Sequence, residues 1–476
     1  MGESSGERPR GRTAAEEGVL RDEAAEAIAA EHGKLGLPAA TSLVVGNIVG
    51  TGVFLLPASL AAYGTVSILS MALVSIGAVA LAVVFGRLGA RVPAGGGPYA
   101  YAKDAFGEFP GFWTAWSFWL TAWIGNAAIA VVWVNYANYF LHWDSPAAQI
   151  ALALVALWIP ALINLSGVRN IGAFTLITTV LKFIPLIFVS VVGLFFVRGA
   201  NFGPLNATTG NWVGALSTAG ALALFIYSGV ESVTIVAEKI KDPARNIGRA
   251  SVYGVLICAA MYMLSTVAIF GTVPHDALVD SPAPFADAIN NMFGGSVGGG
   301  VMAACAVISG IGAINGWTML VAEMPMAAAR DGLFPRAFAW ENRRGAPWVG
   351  IVLGTALTSL VAVYNYFGTT EGFNKILLIA TFTTVIPYFF SACAQLFWLV
   401  TGARKTSGAR LGRDLTITTV AILFAFWMTY GAGMEAVFTG FLMLLVGIPI
   451  YIWTKAKRGE YGPRSGTRTA PSGQPR

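Results

Sequence analysis

Three stretches place polar or ionisable chemistry where apolar residues predominate. The first is Gly46-Asn47-Ile48-Val49-Gly50-Thr51-Gly52-Val53-Phe54, inside an apolar run from about 35 to 63. Such a run is long enough to cross a bilayer. Each of its glycines at i, i+4 and i+6 weakens a helix by roughly 1 kcal/mol relative to alanine, a cost with no return on a lipid-facing helix. Glycine admits close approach to bare backbone and lets a helix unwind. Unwound backbone at membrane depth is tolerated only where it lines a protein cavity. One reading is a broken helix whose freed N–H and C=O groups hold a ligand. The other is a small-residue packing face, since Gly46 and Gly50 also fit G-x-x-x-G. The segment alone leaves both open.

The second stretch is Phe225-Ile226-Tyr227-Ser228-Gly229-Val230-Glu231, which sets a hydroxyl, a glycine and a carboxylate in mid-run. The third is Lys182, in Val180-Leu181-Lys182-Phe183-Ile184-Pro185, about eleven residues into its own apolar run. A charge at the bilayer centre costs roughly 2.5–3.5 kcal/mol on insertion scales, so an intramembrane ionisable residue marks function by default. A lysine snorkelling from a helix end is the bland alternative, and the depth of Lys182 argues against it. For Glu231 the bland alternative is an acceptor for unwound backbone. The functional ones are a counter-charge for a cation or a proton site.

Apolar runs of spanning length position these residues. They are read at about 37–63, 66–88, 110–141, 147–166, 172–197, 213–237, 247–273, 297–326, 347–366, 375–401, 413–431 and 434–455. That makes an all-α polytopic membrane protein of about twelve helices. Of the 476 residues, 56% are hydrophobic and 11% charged, which excludes an ordinary soluble enzyme. No nucleotide-binding segment is present to use ATP, and no nucleophile–base or metal constellation suggests catalysis, so no cofactor is expected. Cys258, Cys305 and Cys393 lie far apart in apolar runs and read as small hydrophobes.

The connections alternate in charge. Arg87, Arg91 and Lys103 follow the second run and Arg169 the fourth. Lys239, Lys241, Arg245 and Arg249 follow the sixth, Arg330, Arg336, Arg343 and Arg344 the eighth, and Arg404, Lys405, Arg410 and Arg413 the tenth. The opposite connections are poor in Lys and Arg. Both termini are therefore expected on the cytoplasmic side of the cell membrane. The basic loops lack interleaved aromatics, so no nucleic-acid partner is expected. Residues 1–33 are polar and mixed in charge, unlike a cleavable signal peptide, and read as a disordered tail, as does 456–476. A single membrane-embedded unit is expected over 34–455. Runs one and six are corresponding members of two groups of five. Matched interruptions in two halves point to inverted repeats with a site at the midplane. Half-helix N-termini there would offer N–H groups to an anion such as a carboxylate.

The stretch from Gly46 to Pro57 resembles the first helix of the amino acid–polyamine–organocation (APC) superfamily, and within it the arginine/agmatine antiporter and basic amino acid/polyamine antiporter family. The resemblance runs from about 34 to 455. It includes Gly95-Gly96-Gly97-Pro98-Tyr99-Ala100-Tyr101-Ala102, Trp123-Ile124-Gly125-Asn126, Gly229-Val230-Glu231, Gly316-Trp317-Thr318, Asp331-Gly332-Leu333-Phe334-Pro335 and Ile386-Pro387-Tyr388. It implies a five-plus-five inverted-repeat, leucine-transporter-like fold with discontinuous helices one and six and two extra C-terminal helices. It implies alternating access to a small amine-bearing substrate, and a homodimer in the membrane lipid.

The resemblance also implies roles. Gly50, Thr51 and Gly52 match the carboxylate-binding Gly-Ser-Gly, and the hydroxyl is kept. Ile48 matches the carbonyl that takes the α-amino group. Trp317 matches the tryptophan that stacks on the guanidinium, and Asn126 its hydrogen-bonding asparagine. Glu231 and Tyr388 match the distal-gate pair. The side-chain end departs from the family. Phe225 stands at a gate tryptophan, Ser228 at an isoleucine one turn on, Phe118 at a gate tyrosine, Ala122 at a cysteine, Ile129 at a methionine and Ala380 at a serine. Lys182 is absent from the antiporter, but other members carry a lysine there in place of a sodium ion. It is expected to remove any sodium requirement and to carry a coupled proton. The expected function is a secondary amino acid transporter that exchanges a cationic amino acid or its amine. The alternative is a proton-coupled symporter of neutral or broad specificity.

Overall fold

The computed structural model describes residues 34–92, 96–167, 171–235, 237, 240–367, 372–402 and 408–459. The expected tail over 1–33 and all but the first residues of 456–476 lie outside the described residues. So do Gly95, Arg169, Lys239, Arg404 and Lys405.

The described chain is helical. Its elements in order are α1 (Leu37–Ile48), α2 (Leu56–Ala61), α3 (Val66–Arg91), α4 (Pro98–Phe106), α5 (Glu108–Leu141), α6 (Pro146–Leu165), α7 (Ile171–Val192), α8 (Trp212–Phe225), α9 (Ser232–Ile235), α10 (Pro243–Thr272), α11 (His275–Val279), α12 (Pro284–Phe293), α13 (Val297–Arg330), α14 (Trp348–Phe367), α15 (Gly372–Gly402) and α16 (Gly408–Lys457). Among the described residues, eight of these helices are long and apolar enough to cross a membrane, and shorter apolar helices accompany them. Proline in the first turn opens α1, α2, α4, α6, α10 and α12, where its missing N–H has no helical partner to lose. The Asn211 side chain caps α8 by accepting from Gly214 N–H at 2.6 Å.

Two of the expected spans are interrupted. The first is α1, a 3-10 turn over Thr51–Phe54, and α2. α1 stops because the Gly50 N–H turns back to Ile48 O at 2.8 Å, and Gly50 is extended at φ −90°, ψ 173°. The other is α8, followed by turns through 226–231 and the single turn of α9. Gly229 lies there at φ +111°, a conformation that favours glycine.

α5 is the central post, its apolar window wholly buried, and it packs on α13 and α15. α10 packs on α1 and α3, and α16 on α15 and α8. α16 holds two helices, the runs read at 413–431 and 434–455, which meet at a kink where Gly433 is non-helical at φ +79° and ψ 161°. This one glycine makes the connection between them.

Candidate functional site

The two breaks meet backbone to backbone. A Cβ on Gly229 would lie 3.0 Å from the carbonyl carbon and oxygen of Asn47 and 3.2 Å from Ile48 N. No larger residue fits, and none other adopts the +111° φ without strain. The Tyr262 hydroxyl on α10 joins the breaks from behind, 3.1 Å from Ile48 O and 3.3 Å from Ile226 O. One hydroxyl thus serves a carbonyl from each break, and Ile48 O accepts from the Gly50 N–H as well.

Both buried charges are tied to freed backbone. Lys182 on α7, 7% exposed, donates from Nζ to Gly46 O at 2.7 Å. That carbonyl's helical donor would be the Gly50 N–H, which has turned to Ile48 O. Glu231, 2% exposed, accepts at Oε2 from Gly229 N–H at 3.2 Å and from the Tyr388 hydroxyl of α15 at 2.9 Å.

Between the breaks lies a cavity of about 10 Å³, room for roughly one water. Ile48, Gly50, Gly52, Phe225, Ser228 and Trp317 line it, with Ile129 of α5. The Phe225 ring is wedged between spans one and three. Its edge lies 3.1 Å from where a Cβ would stand on Gly52, and the other edge 3.1 Å from one on Gly125. Asn126, the next residue, donates from Nδ2 to Thr318 Oγ1 at 3.3 Å. Its Oδ1, Thr51 Oγ1 and Ser228 Oγ are buried with no hydrogen-bond partner among the described residues. Each such group costs about 1–3 kcal/mol, and of the three residues Ser228 lines the cavity, while Thr51 and Asn126 each adjoin a residue near it.

Three sequence candidates stand away from this cavity. Ala380 is fully buried on α15, its carbonyl accepting from Thr383 and Thr384 hydroxyls at 3.0 and 2.7 Å. Tyr388 is buried on α15 against Glu231, and Phe118 faces the basic connections. Phe118 lines a vestibule of about 930 Å³ with Tyr99, Lys103, Ile235, Glu323 and Asp331. Asp331 accepts from the Tyr99 hydroxyl at 3.2 Å and lies 3.8 Å from Lys103 Nζ. Burial, then the Asp331 charge, pushes the Tyr99 phenol well above its ordinary value, so it stays a donor.

The other end is closed. Tyr136 of α5 donates to Phe54 O at 2.9 Å and accepts from Phe285 N–H at 3.4 Å. Phe54 packs edge-on against Tyr136 and Phe285, with centroids 6.0 and 5.1 Å apart. Tyr262 and Tyr136 carry no motif. The one sequence signal was a tyrosine inside an apolar run, whose hydroxyl needs a buried partner.

The chain matches the family model described as amino acid permease over residues 35–453. It is 29% identical to the arginine/ornithine antiporter of Pseudomonas aeruginosa over 445 residues, covering 90% of this chain and 92% of the relative. It is 29% identical to the putrescine transporter PotE of Haemophilus influenzae over 433 residues, covering 89% and 98%. It is 28% identical to the arginine/agmatine antiporter of Chlamydia pneumoniae over 436 residues, covering 88% and 89%. A match that begins ahead of α1, takes in both breaks and ends in the last turns of α16 makes this chain a member of the amino acid permease family, a membrane transporter and not an enzyme.

Proposed function

We propose that the chain exchanges a cationic amino acid, or the amine derived from it, across the cytoplasmic membrane by alternating access. The observation that carries this reading is the cavity between two helix breaks in backbone contact, with Trp317 and Phe225 on its walls. The N–H groups of Thr51 and Gly52 and the Thr51 hydroxyl take the carboxylate, as positive ends of interrupted helices do, while the Gly50 N–H is held by Ile48 O. Ile48 O takes the α-amino group. The Trp317 face takes a distal cation, an interaction worth roughly 2 kcal/mol when desolvated. Asn126 Oδ1, an unpartnered acceptor, completes that end. The antiporter names of the relatives support exchange, and their basic amino acids and putrescine support the substrate class.

The proposed frame is twelve spans, with the arms of α16 as the last two, a five-plus-five inverted repeat, and both termini cytoplasmic. The vestibule then faces the cytoplasm and the Tyr136–Phe54–Phe285 cluster faces outward. In this frame Phe225 is the side-chain gate over the bound substrate. Phe118 and the Glu231–Tyr388 pair form the inner gate.

One observation favours proton-coupled symport as a second reading. The Lys182 ammonium sits on the freed carbonyl of Gly46, where a bound cation would otherwise be needed. Vesicles separate the two readings. Exchange requires internal substrate, and arginine, ornithine or putrescine uptake into empty vesicles then stays near background. Uptake into empty vesicles driven by a proton gradient alone, and lost in Lys182→Ala, establishes symport instead.

A further inference from the structure

A second large cavity, of about 740 Å³, shares no lining residue with the central cavity or the vestibule. It lies behind α15, between the end of α14 and the bend at Gly433 in α16. Its deep walls are apolar: Ile124 of α5, Ile376 and Ile379 of α15, and Met443 of α16. Leu360, Tyr364 and Met434 form the outer wall at 67, 62 and 84% exposure, as lipid-facing side chains do, so entry is sideways from the bilayer. The volume suits a small molecule or a single acyl chain.

The rim is zwitterionic. Lys375 Nζ and Glu435 Oε1 stand 3.1 Å apart, and the Glu435 side chain is 74% exposed. Asn374 lines the same cavity, and its buried amide oxygen has no hydrogen-bond partner among the described residues. An exposed ion pair of this kind is weakly held and opens readily to other partners. Lys375 offers N–H to a phosphodiester oxygen. Glu435 and Asn374 Oδ1 are acceptors, and they favour a primary ammonium over a trimethylated one that has no N–H to give.

We propose that this cavity holds one phosphatidylethanolamine-class lipid of the adjacent leaflet, an acyl chain between α15 and α16 and the headgroup across Lys375 and Glu435. The occupant touches elements that build the transport site. Ile124 precedes Gly125, which abuts Phe225; Thr218 belongs to α8; Ile379 precedes Ala380. The lipid therefore steadies α8 and α15 against α5. The proposal goes beyond the exchange reading and stands without it.

The test uses the full chain in phosphatidylcholine nanodiscs doped with a photoreactive-tail phosphatidylethanolamine, or with the matching phosphatidylcholine probe, and maps labelled peptides by mass spectrometry. With the ethanolamine probe, labelling over 360–379 and 431–443 should exceed that on the lipid face of α3 by about tenfold. Thr439→Trp and, from the facing wall, Val361→Phe should each abolish the excess in protein that remains monodisperse. Lys375→Gln with Glu435→Gln should reduce it to the level of the choline probe. Even labelling over all lipid faces overturns the proposal. So does equal labelling by the two probes in the unaltered chain, or an excess insensitive to whichever cavity-filling variant folds.

Discussion

At the scale of single residues, the site depends on side chains that complete freed backbone groups. Tyr262→Phe removes the donor shared by Ile48 O and Ile226 O. Ile48 O keeps the Gly50 N–H, so the loss falls on Ile226 O; a buried carbonyl left without its donor costs about 1–3 kcal/mol, and substrate affinity is expected to fall by about tenfold with the fold intact. Equilibrium binding with a thermal-melt control checks this, and unchanged affinity would reduce the tyrosine to a packing partner of Tyr227. Glu231 accepts both hydrogen bonds at one oxygen, Oε2, and the carbonyl oxygen of an amide in its place can accept the same two. Glu231→Gln keeps these contacts and removes the titratable carboxylate, so it is expected to flatten the dependence of uptake on pH. Tyr388→Phe, which removes only the partner, should keep that dependence while slowing transport. Glu231, Lys182 and Gly229 were legible in the sequence because an ionisable group or a glycine inside an apolar run has a cost that something must offset. Tyr262 was not legible, because its two partners lie 214 and 36 residues away in the chain.

At the scale of elements, the inner arms of the two broken spans are fastened together. Leu35 and Ile240 form a parallel bridge, and Lys241 N–H donates to Leu35 O at 2.9 Å. Gly96 N–H reaches Ile235 O at 3.4 Å, so the loop ahead of α4 rests on α9. If α1 and α9 move as one body, a disulfide between Leu35→Cys and Ile240→Cys, in a chain with its native cysteines replaced, leaves at least about half of the uptake. Loss of uptake on oxidation, regained on reduction, would show that the arms part during transport. At the opposite end, Tyr136 holds Phe54 against α12. Tyr136→Phe should speed modification of a cysteine placed at Ala286 from that side, with little change at the vestibule. The breaks were readable as elements from their glycines. α12 was not, because ten residues between two apolar runs read as an ordinary connection. The kink in α16 was readable as the connection between two runs, because Gly433 at positive φ ends one helix and lets the next begin.

At the scale of the whole molecule, one end is open and the other sealed. The vestibule of about 930 Å³ opens among the basic connections, while the central cavity holds about one water. A substrate of amino acid size enters only when the Phe225 ring leaves the slot between Gly52 and Gly125. Charge alternation carries the expected sidedness, because the insertion machinery reads Lys and Arg residues. The conformational state was not readable, since it depends on small differences between two packings of one chain. Gly52 lies in a 3-10 turn where alanine suits the backbone, and its methyl would stand 3.1 Å from the Phe225 ring, narrowing the slot. The most direct test of whether substrate binds between the breaks is equilibrium binding of a labelled cationic amino acid to the purified chain and to Gly52→Ala. The unaltered chain should bind, and Gly52→Ala should bind at least about thirtyfold more weakly while melting at the same temperature. Equal affinities in the two proteins would place the substrate elsewhere.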